Sequence, residues 1–310
     1  MAPVEPKAFI QAEGLTKWFG QVIAVNDVSF ESSVPILGLL GPNGAGKSTM
    51  IKLITGQLRP SKGSLRVRGE TPWSNRRLLA GLGYCPEHDR FYEDMTPLQF
   101  VQVLTRLHGI DAARSRELAA AAIERCVLFA VRDRPIRTLS HGMRQKLKVA
   151  QAMAHRPRWL VLDEPLSGMD PVSRADMIRL FREEAESGVG VLVSSHVLHE
   201  LEAMTSDILL INRGRLLAQG QVQSIRELID EHPHRIALTA DDPRALGREL
   251  LRHDDVARVE VEAGRVVVET RDPDACYDRI GELAASGSYP IHSLVSLDDN
   301  LEAVFRYLVK

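Results

Sequence analysis

The 310-residue sequence predicts an α/β fold with a parallel, helix-covered sheet, followed by a small α+β domain. Three observations favour it. An apolar run, ILGLL at 36–40, leads into a glycine-rich segment and then a helix-like stretch. Between 159 and 212, apolar strand patterns alternate with helical patterns, which is typical of a parallel sheet. After about 234, the patterns follow in the order β-α-β-β-α-β, which is typical of a ferredoxin-like unit.

The composition argues against several broad classes of protein. A formal net charge of −2, with 44% hydrophobic and 26% charged residues, is ordinary for a globular protein and gives no general affinity for nucleic acid. The three cysteines lack disulfide or zinc spacing, so we expect reduced thiols. We see no signal-peptide layout and no apolar run near the ~20 residues that span a bilayer. We therefore expect any membrane role to need a partner.

The first predicted domain covers 7–230 and changes character along its length. Up to about residue 84, short strand-like runs surround the glycine-rich segment. A helical subdomain is predicted for about 91–150. It contains the helix-start signal Thr96-Pro97-Leu98-Gln99, with a capping threonine, a proline at the first helical position and a glutamine at the third.

The second predicted domain covers 234–310, with a boundary at Glu231-His232-Pro233-His234. Two valine-rich runs flank Glu262-Ala263-Gly264 and predict a hairpin. A last amphipathic helix is predicted to carry one apolar face, made of Leu301, Val304, Phe305 and Leu308.

The glycine-rich segment reads GPNGAGKST and matches the phosphate-binding pattern G-x-x-x-x-G-K-S/T. Its glycines let main-chain N–H groups close around phosphate oxygens, and the strand–loop–helix order adds a helix N-terminus. Lys47 can reach the β- and γ-phosphates, and the Ser48 hydroxyl can ligate Mg²⁺. The predicted nucleotide-binding residues are Gly41, Pro42, Asn43, Gly44, Ala45, Gly46, Lys47, Ser48 and Thr49.

A second motif, WLVLDEP at 159–165, is an apolar strand that ends in two carboxylates. At the carboxyl edge of a parallel sheet such residues face the ligand crevice. We expect Asp163 to hold Mg²⁺ through water and Glu164 to accept a proton from the attacking water. The alternative is a salt-bridged acidic pair at a strand end, which the upstream phosphate loop disfavours.

A third motif, LSHGM at 139–143, precedes a helical stretch. Ser140 is placed as the helix N-cap, and Gly142 allows close approach to an anion. With the other two motifs in this order, the chain resembles the ATP-binding subunit of an ABC transporter over about Phe9 to Gly220. LSHGM is similar to that family's LSGGQ signature, from which His141 and Met143 depart.

The resemblance implies an ATP-hydrolysing fold with an antiparallel β subdomain and a helical subdomain. It implies ATP and Mg²⁺ as ligands, with Lys47, Glu164 and His196 as catalytic residues; His196, in VSSHV, matches the switch histidine that senses γ-phosphate. Ser140 and Gly142 would contact ATP held by a second copy, and Asp170 lies in the D-loop of the dimer interface.

Two positions match the family's pattern less directly. An aromatic residue upstream of the phosphate loop stacks on adenine in the family; Phe19 fits best, with Trp18 as the alternative. Glu87 occupies the Q-loop position, where most relatives have glutamine. We expect it to join Ser48 and Asp163 at the metal. A similar glutamate is seen in the branch of the family that exports drugs, polysaccharides and lipids, so the resemblance implies that branch. The alternative is a solvent-facing loop acid.

The function implied is the ATPase subunit that drives a separately encoded integral membrane permease, in the export direction, from the cytoplasmic face of the cell membrane. A homodimer and no nucleic-acid partner are expected. Phe91, Tyr92 and Met95 are either partner contacts or core packing. The C-terminal domain is expected to brace the dimer, with contact to the permease and sensing of a ligand as the alternatives.

Two other functions compete with this one. A soluble ABC-type ATPase of DNA repair, chromosome structure or translation is disfavoured, since no coiled-coil insertion or basic arm is visible. A small-molecule P-loop kinase is disfavoured by LSHGM and His196 together.

Overall fold

The computed structural model describes residues 9–221, 234–262 and 264–297. The chain divides into two compact units between residues 221 and 222. Three sequence predictions lie outside the described residues: the boundary at 231–233, the hairpin residue Ala263, and the last helix with Leu301, Val304, Phe305 and Leu308.

The first unit contains two sheets. A three-stranded antiparallel sheet has the order β2-β1-β4, and a six-stranded sheet has the order β5-β6-β7-β3-β8-β9, in which only β9 is antiparallel to its neighbour. The strands of this unit are β1 (Ile10–Phe19), β2 (Val22–Ser32), β3 (Ile36–Leu40), β4 (Lys62–Val67), β5 (Leu82–Cys85), β6 (Trp159–Asp163), β7 (Gly190–Ser195), β8 (Asp207–Asn212) and β9 (Arg215–Gln221).

Helices cover the large sheet and form a separate helical part. The helices of this unit are α1 (Lys47–Ile54), α2 (Arg76–Leu79), α3 (Pro97–Arg106), α4 (Ala112–Arg125), α5 (His141–Met153), α6 (Pro171–Glu186) and α7 (Leu198–Glu202). The start of α3 is the predicted capping box: Gln99 N donates to Thr96 Oγ1 at 3.3 Å, and Thr96 N donates to Gln99 Oε1 at 2.9 Å.

The parallel register places the functional segments at one edge of the large sheet. Strands β3 and β6 are buried at every residue, as expected for strands covered on both faces. Leu40 pairs with Ser195, and Asp163 pairs with Ser194. The residues that follow these strands therefore emerge side by side, and they are the phosphate loop, Glu164 and His196.

The core of this unit fixes the small sheet against the large one. Phe9 packs edge-on against Trp159, with ring centroids 6.4 Å apart, and both side chains are buried. Each fully buried side chain of this size stabilises the fold by about 1.5–3 kcal/mol. The edge that carries the functional loops thus rests on a packed core.

The second unit is a four-stranded antiparallel sheet with the order β11-β12-β10-β13. Its elements follow in the order β-α-β-β-α-β, as the sequence predicts, while the ferredoxin-like assignment stays a prediction. Among the described residues, no helix of either unit is both long and apolar enough to cross a bilayer. The elements of the second unit are β10 (His234–Ala240), α8 (Pro243–Leu250), β11 (Val256–Glu262), β12 (Arg265–Thr270), α9 (Pro273–Ala285) and β13 (Ile291–Ser296).

Candidate active site

The loop between β3 and α1 has a backbone that only glycine can form. Gly46 has a φ of 105°, and a Cβ there would lie 2.6 Å from the Ala24 carbonyl oxygen. A Cβ at Gly41 would lie 2.4 Å from the carbonyl oxygen of Ile211. Gly46 has no side chain to cap α1, so the N–H groups of the first helical turn are available to an incoming anion.

Lys47 is buried within this loop. Its Nζ donates hydrogen bonds to the carbonyl oxygens of Gly41 at 2.6 Å and Pro42 at 3.3 Å. It also lies 3.2 Å from Glu164 Oε1, and both side chains are more than 90% buried. An ammonium ion in such surroundings needs these partners, so the loop holds its cation beside the carboxylate at the end of β6.

The two carboxylates at the end of β6 are held by the neighbouring strand. Ser194 Oγ donates to Asp163 Oδ1 at 2.6 Å and accepts from Glu164 N at 3.0 Å. Burial raises the pKa of Asp163, which the hydrogen bond from Ser194 partly offsets. Glu164 has a φ of 48°, a conformation rarely adopted by non-glycine residues outside constrained sites. Asp163 is thus held by the Ser194 hydroxyl, whereas the Glu164 side chain is paired with Lys47.

Glu164 also contacts the predicted switch histidine. The Nδ1 atom of His196 lies 2.9 Å from Glu164 Oε2, while Lys47 lies on the other carboxylate oxygen. The three predicted catalytic residues thus form one continuous group. This arrangement can orient a water molecule and hold charge at a phosphate bound to the loop.

Lys47 and Glu164 line a cavity of about 560 Å³, whereas His196 is exposed and is not among the described residues that line it. Most of the predicted loop residues line this cavity, whereas the loop residues Gly41 and Ala45 are buried and do not line it. The lining residues are Val22, Ile23, Ala24, Pro42, Asn43, Gly44, Gly46, Lys47, Ser48, Thr49, Glu87, Glu164, Arg213 and Gly214.

Several of these lining residues are absent from the predicted site. They belong to no phosphate-binding motif and are Val22, Ile23, Ala24, Arg213 and Gly214. Their signal is weak because the contact depends on the tertiary fold: Gly214 N donates to Ala45 O at 2.8 Å, which brings the β8–β9 turn to the phosphate loop.

The two candidate adenine-stacking residues lie at the end of β1. Phe19 is 48% exposed and pairs with Val22; Trp18 is 39% exposed and pairs with Ile23. Both strand partners line the cavity, so each aromatic lies close to its rim. The choice of Phe19 stays a prediction.

The predicted metal ligands come together around a second hollow of about 640 Å³. Ser48, Glu87 and Asp163 all line it. A hydroxyl and two carboxylates form an oxygen set that suits Mg²⁺, which keeps several waters and takes few protein ligands. Within the described ranges, no cluster of three or more His, Cys, Asp and Glu side chains could hold a metal alone. The donor set therefore fits a metal shared with phosphate oxygens.

The signature residues lie apart from this group. Ser140 caps α5 and accepts from Met143 N at 3.3 Å; Asp170 caps α6 and accepts from Ser173 N at 2.9 Å. That contact with Ser173 lowers the pKa of Asp170. Both caps are exposed, and neither they nor Gly142 are among the described residues that line the cavity.

A scan against family models matches the description "ABC transporter" over residues 25–167. The Nod factor export ATP-binding protein I of Ralstonia nicotianae is 33% identical over 96% of this chain and 93% of that protein. The chain belongs to the ABC transporter family. The daunorubicin/doxorubicin resistance ATP-binding protein DrrA of Streptomyces peucetius is 32% identical over 90% of this chain and 82% of its own length.

Solved structures agree with the family and confirm the predicted fold class. An ATP-binding subunit of an ABC transporter superposes with a TM-score of 0.64 at 25% identity, over 71% of this chain and 93% of that one. A bacterial ABC transporter cassette solved as a dimer gives a TM-score of 0.64 at 18% identity, over 69% of this chain and 98% of that one. This likeness shows the fold alone. The chain is thus an ATP-binding and ATP-hydrolysing ABC ATPase.

Proposed function

We propose that this ABC ATPase drives a separately encoded membrane permease, in the export direction, through ATP-dependent closure of two copies of the chain. One observation carries the proposal. Lys47 and His196 each contact the Glu164 carboxylate beside the phosphate loop, at 3.2 and 2.9 Å, whereas the exposed signature caps Ser140 and Asp170 accept hydrogen bonds from their own helices.

The assembled group supports hydrolysis of the γ-phosphate. Lys47 neutralises charge on the β- and γ-phosphates, as a phosphate-loop lysine does. Glu164 accepts a proton from water as the water oxygen bonds to the γ-phosphorus and the bond to the β-phosphate oxygen breaks, giving ADP and phosphate. His196, 2.9 Å from the same carboxylate, orients it and contacts the γ-phosphate.

Ser48, Asp163 and Glu87 are the residues that would hold Mg²⁺. Bound there, Mg²⁺ would neutralise charge on the phosphate oxygens. Glu87 adds a negative charge where a glutamine would be neutral, so it increases the electrostatic attraction for the metal. Burial favours the protonated form of Asp163 and raises its pKa, and a nearby cation would counter that effect.

A second copy would complete each site. The chain has one phosphate loop and one signature, so a head-to-tail pair related by a two-fold axis would bury two ATP molecules. The exposed start of α5 would then place Ser140 and its N–H groups on the γ-phosphate bound by the other copy. Loss of that phosphate would let the pair open. We assign the C-terminal domain a role in bracing this pair.

The relatives' names support an export role. The curated relatives are named for Nod factor export and for daunorubicin/doxorubicin resistance. The segment after β5 offers a docking surface for a permease at the inner face of the membrane. Tyr92 is 68% exposed beside the second hollow, whereas Phe91 packs edge-on against Phe100 with centroids 5.1 Å apart.

Affinity capture from detergent-solubilised membranes tests the permease. We expect a polytopic membrane protein to copurify with the wild-type chain and to be lost from a Tyr92→Asp variant. Leu107→Asp is the matched control, since Leu107 is also exposed in the helical part but lines a different concavity. Copurifying ribosomal or DNA-bound material in place of a membrane protein would contradict the proposal.

A further inference from the structure

Helix α5, the helix that begins within the signature, presents three polar side chains to strand β5 and to the segment that follows it. Gln151 Nε2 donates to the carbonyl oxygen of Tyr84 at 2.7 Å, and Lys148 Nζ donates to that of Glu87 at 2.5 Å. Arg144 lies one turn nearer to the signature. Positions three and four apart share one helix face, so one face of the signature helix contacts this segment at several points.

The contact made by Lys148 is buried. The side chain is 4% exposed, and burial lowers the pKa of its ammonium group. A buried cation is tolerated only where hydrogen bonds and opposite charges compensate for lost hydration. Here the Glu87 carbonyl supplies the hydrogen bond, and Asp163 and Glu87 supply negative charge nearby. Lys148 thereby fixes the backbone of a predicted metal ligand to the signature helix.

Arg144 holds the continuation of the same segment. Its guanidinium makes two hydrogen bonds to the Glu93 carboxylate, at 2.7 and 2.6 Å, and lies 3.5 Å from Asp89. The Phe91 ring lies 5.8 Å from the guanidinium. The two side chains are 20% and 47% exposed, and the bidentate geometry makes this pair more directional than an ordinary surface ion pair.

We propose that Arg144 and Lys148 are positioning residues that join segment 87–93 to the signature helix, so that the Glu87 side of one site and the Ser140 start of α5 move together. This inference rests on the proposed function, because it concerns how the exposed signature reaches ATP on a second copy. Lys148 lines the second hollow beside the predicted metal ligands, whereas Arg144 is not among the described residues that line it, so Arg144 gives the cleaner test.

A charge swap tests the inference in a Glu164→Gln background, where hydrolysis is suppressed. The parent, Arg144→Glu, Glu93→Arg and the double variant are compared at saturating ATP by analytical ultracentrifugation. We expect each single variant to raise the dimer dissociation constant about tenfold and the double variant to recover to within about threefold of the parent. Binding of a fluorescent ATP analogue to single copies should stay within about twofold, since the phosphate loop is untouched.

Two further variants separate positioning from general destabilisation. Arg114→Glu is the matched control, because Arg114 forms an exposed pair with Glu117 within α4, at 2.8 Å. It should leave the dimer unchanged. Lys148→Met, with its melting temperature measured alongside, should weaken the dimer as Arg144→Glu does.

The outcomes are distinguishable. A parent that stays monomeric with ATP removes the proposed function and this inference together. A parent that dimerises while Arg144→Glu dimerises equally well overturns the inference alone. The inference is also overturned if the double variant dimerises as weakly as the two single variants. It is overturned as well if Arg114→Glu weakens the dimer as much as Arg144→Glu does.

Discussion

The phosphate-loop region and the signature region of the first unit expose their polar groups to very different degrees. Lys47 and Glu164 are 6% and 7% exposed and contact each other, whereas Ser140 and Asp170 are exposed and accept hydrogen bonds from the first turns of their own helices. The first region is complete within one chain. In the second region, the described contacts of both residues are helix caps. This difference is the one that the proposed division of the site between two copies requires.

Removing the Lys47 ammonium group should impair ATP binding and hydrolysis in the phosphate-loop region more than any other change. Lys47→Ala leaves Glu164 without its buried partner and the phosphates without their lysine, so we expect ATP affinity and hydrolysis to fall by about a hundredfold or more. Isothermal titration and phosphate release measure both effects. Arg116→Ala, which removes an exposed cation from α4, is the control. Near-normal turnover in Lys47→Ala would refute the assignment of this loop.

Removing the switch histidine should separate binding from chemistry in the same region. His196→Ala takes away the partner of Glu164 Oε2, and we expect turnover to fall about thirtyfold with ATP affinity within about twofold. His199→Ala, three residues further along, should leave both unchanged. An unaffected rate in His196→Ala would remove the switch role.

Removing a cap should show whether the second region serves more than its own helix. Ser140→Ala and Asp111→Ala each delete an N-cap, on α5 and α4 respectively, and should each lower the free energy of unfolding by about 1 kcal/mol. Only Ser140→Ala should also slow hydrolysis, by about tenfold. Equal rates in the two variants would mean that Ser140 is only a helix cap.

The smallest effect concerns the far end of the signature helix. His155 follows α5, stacks on His108 with centroids 3.7 Å apart, and donates from Nε2 to the Leu82 carbonyl at 2.9 Å. Burial, and then the neighbouring His108, lower the pKa of His155 from 6.5 to about 4. The unfolded chain therefore takes up a proton more readily, and the stability present above pH 6.5 is lost as pH falls toward about 4.

Melting temperature measured between pH 7.5 and 4.5 tests this dependence. His155→Gln should flatten the acid side of the curve of melting temperature against pH, although the carboxylates of the chain keep some slope. Equal acid-side slopes for His155→Gln and the wild-type chain would contradict the contribution assigned to His155.

The sequence predicts the first region well because its chemistry is local. The loop GPNGAGKST, the strand that ends in Asp163 and Glu164, and the capping signal at Thr96 are each contiguous patterns with fixed geometry, and the structure has them at the predicted places. The family and the fold class followed from their order, and the comparisons confirm both.

Contacts between distant segments could not be predicted in the same way. Gly214 meets Ala45, and Lys148 meets Glu87, only because the fold brings them together. Gln145, which donates to the Ser167 carbonyl at 3.1 Å, is a third example. No residue spacing and no composition predicts such contacts, since each depends on the strand order and on how α5 packs.

The divided site is tested most directly by the mass of Glu164→Gln in solution. This variant keeps the binding residues of the loop but lacks the carboxylate that accepts the proton. Size-exclusion chromatography with light scattering should give twice the mass of one chain with ATP and Mg²⁺, and the mass of one chain with ADP. A single-chain mass with ATP, from a variant that binds ATP, would contradict the account.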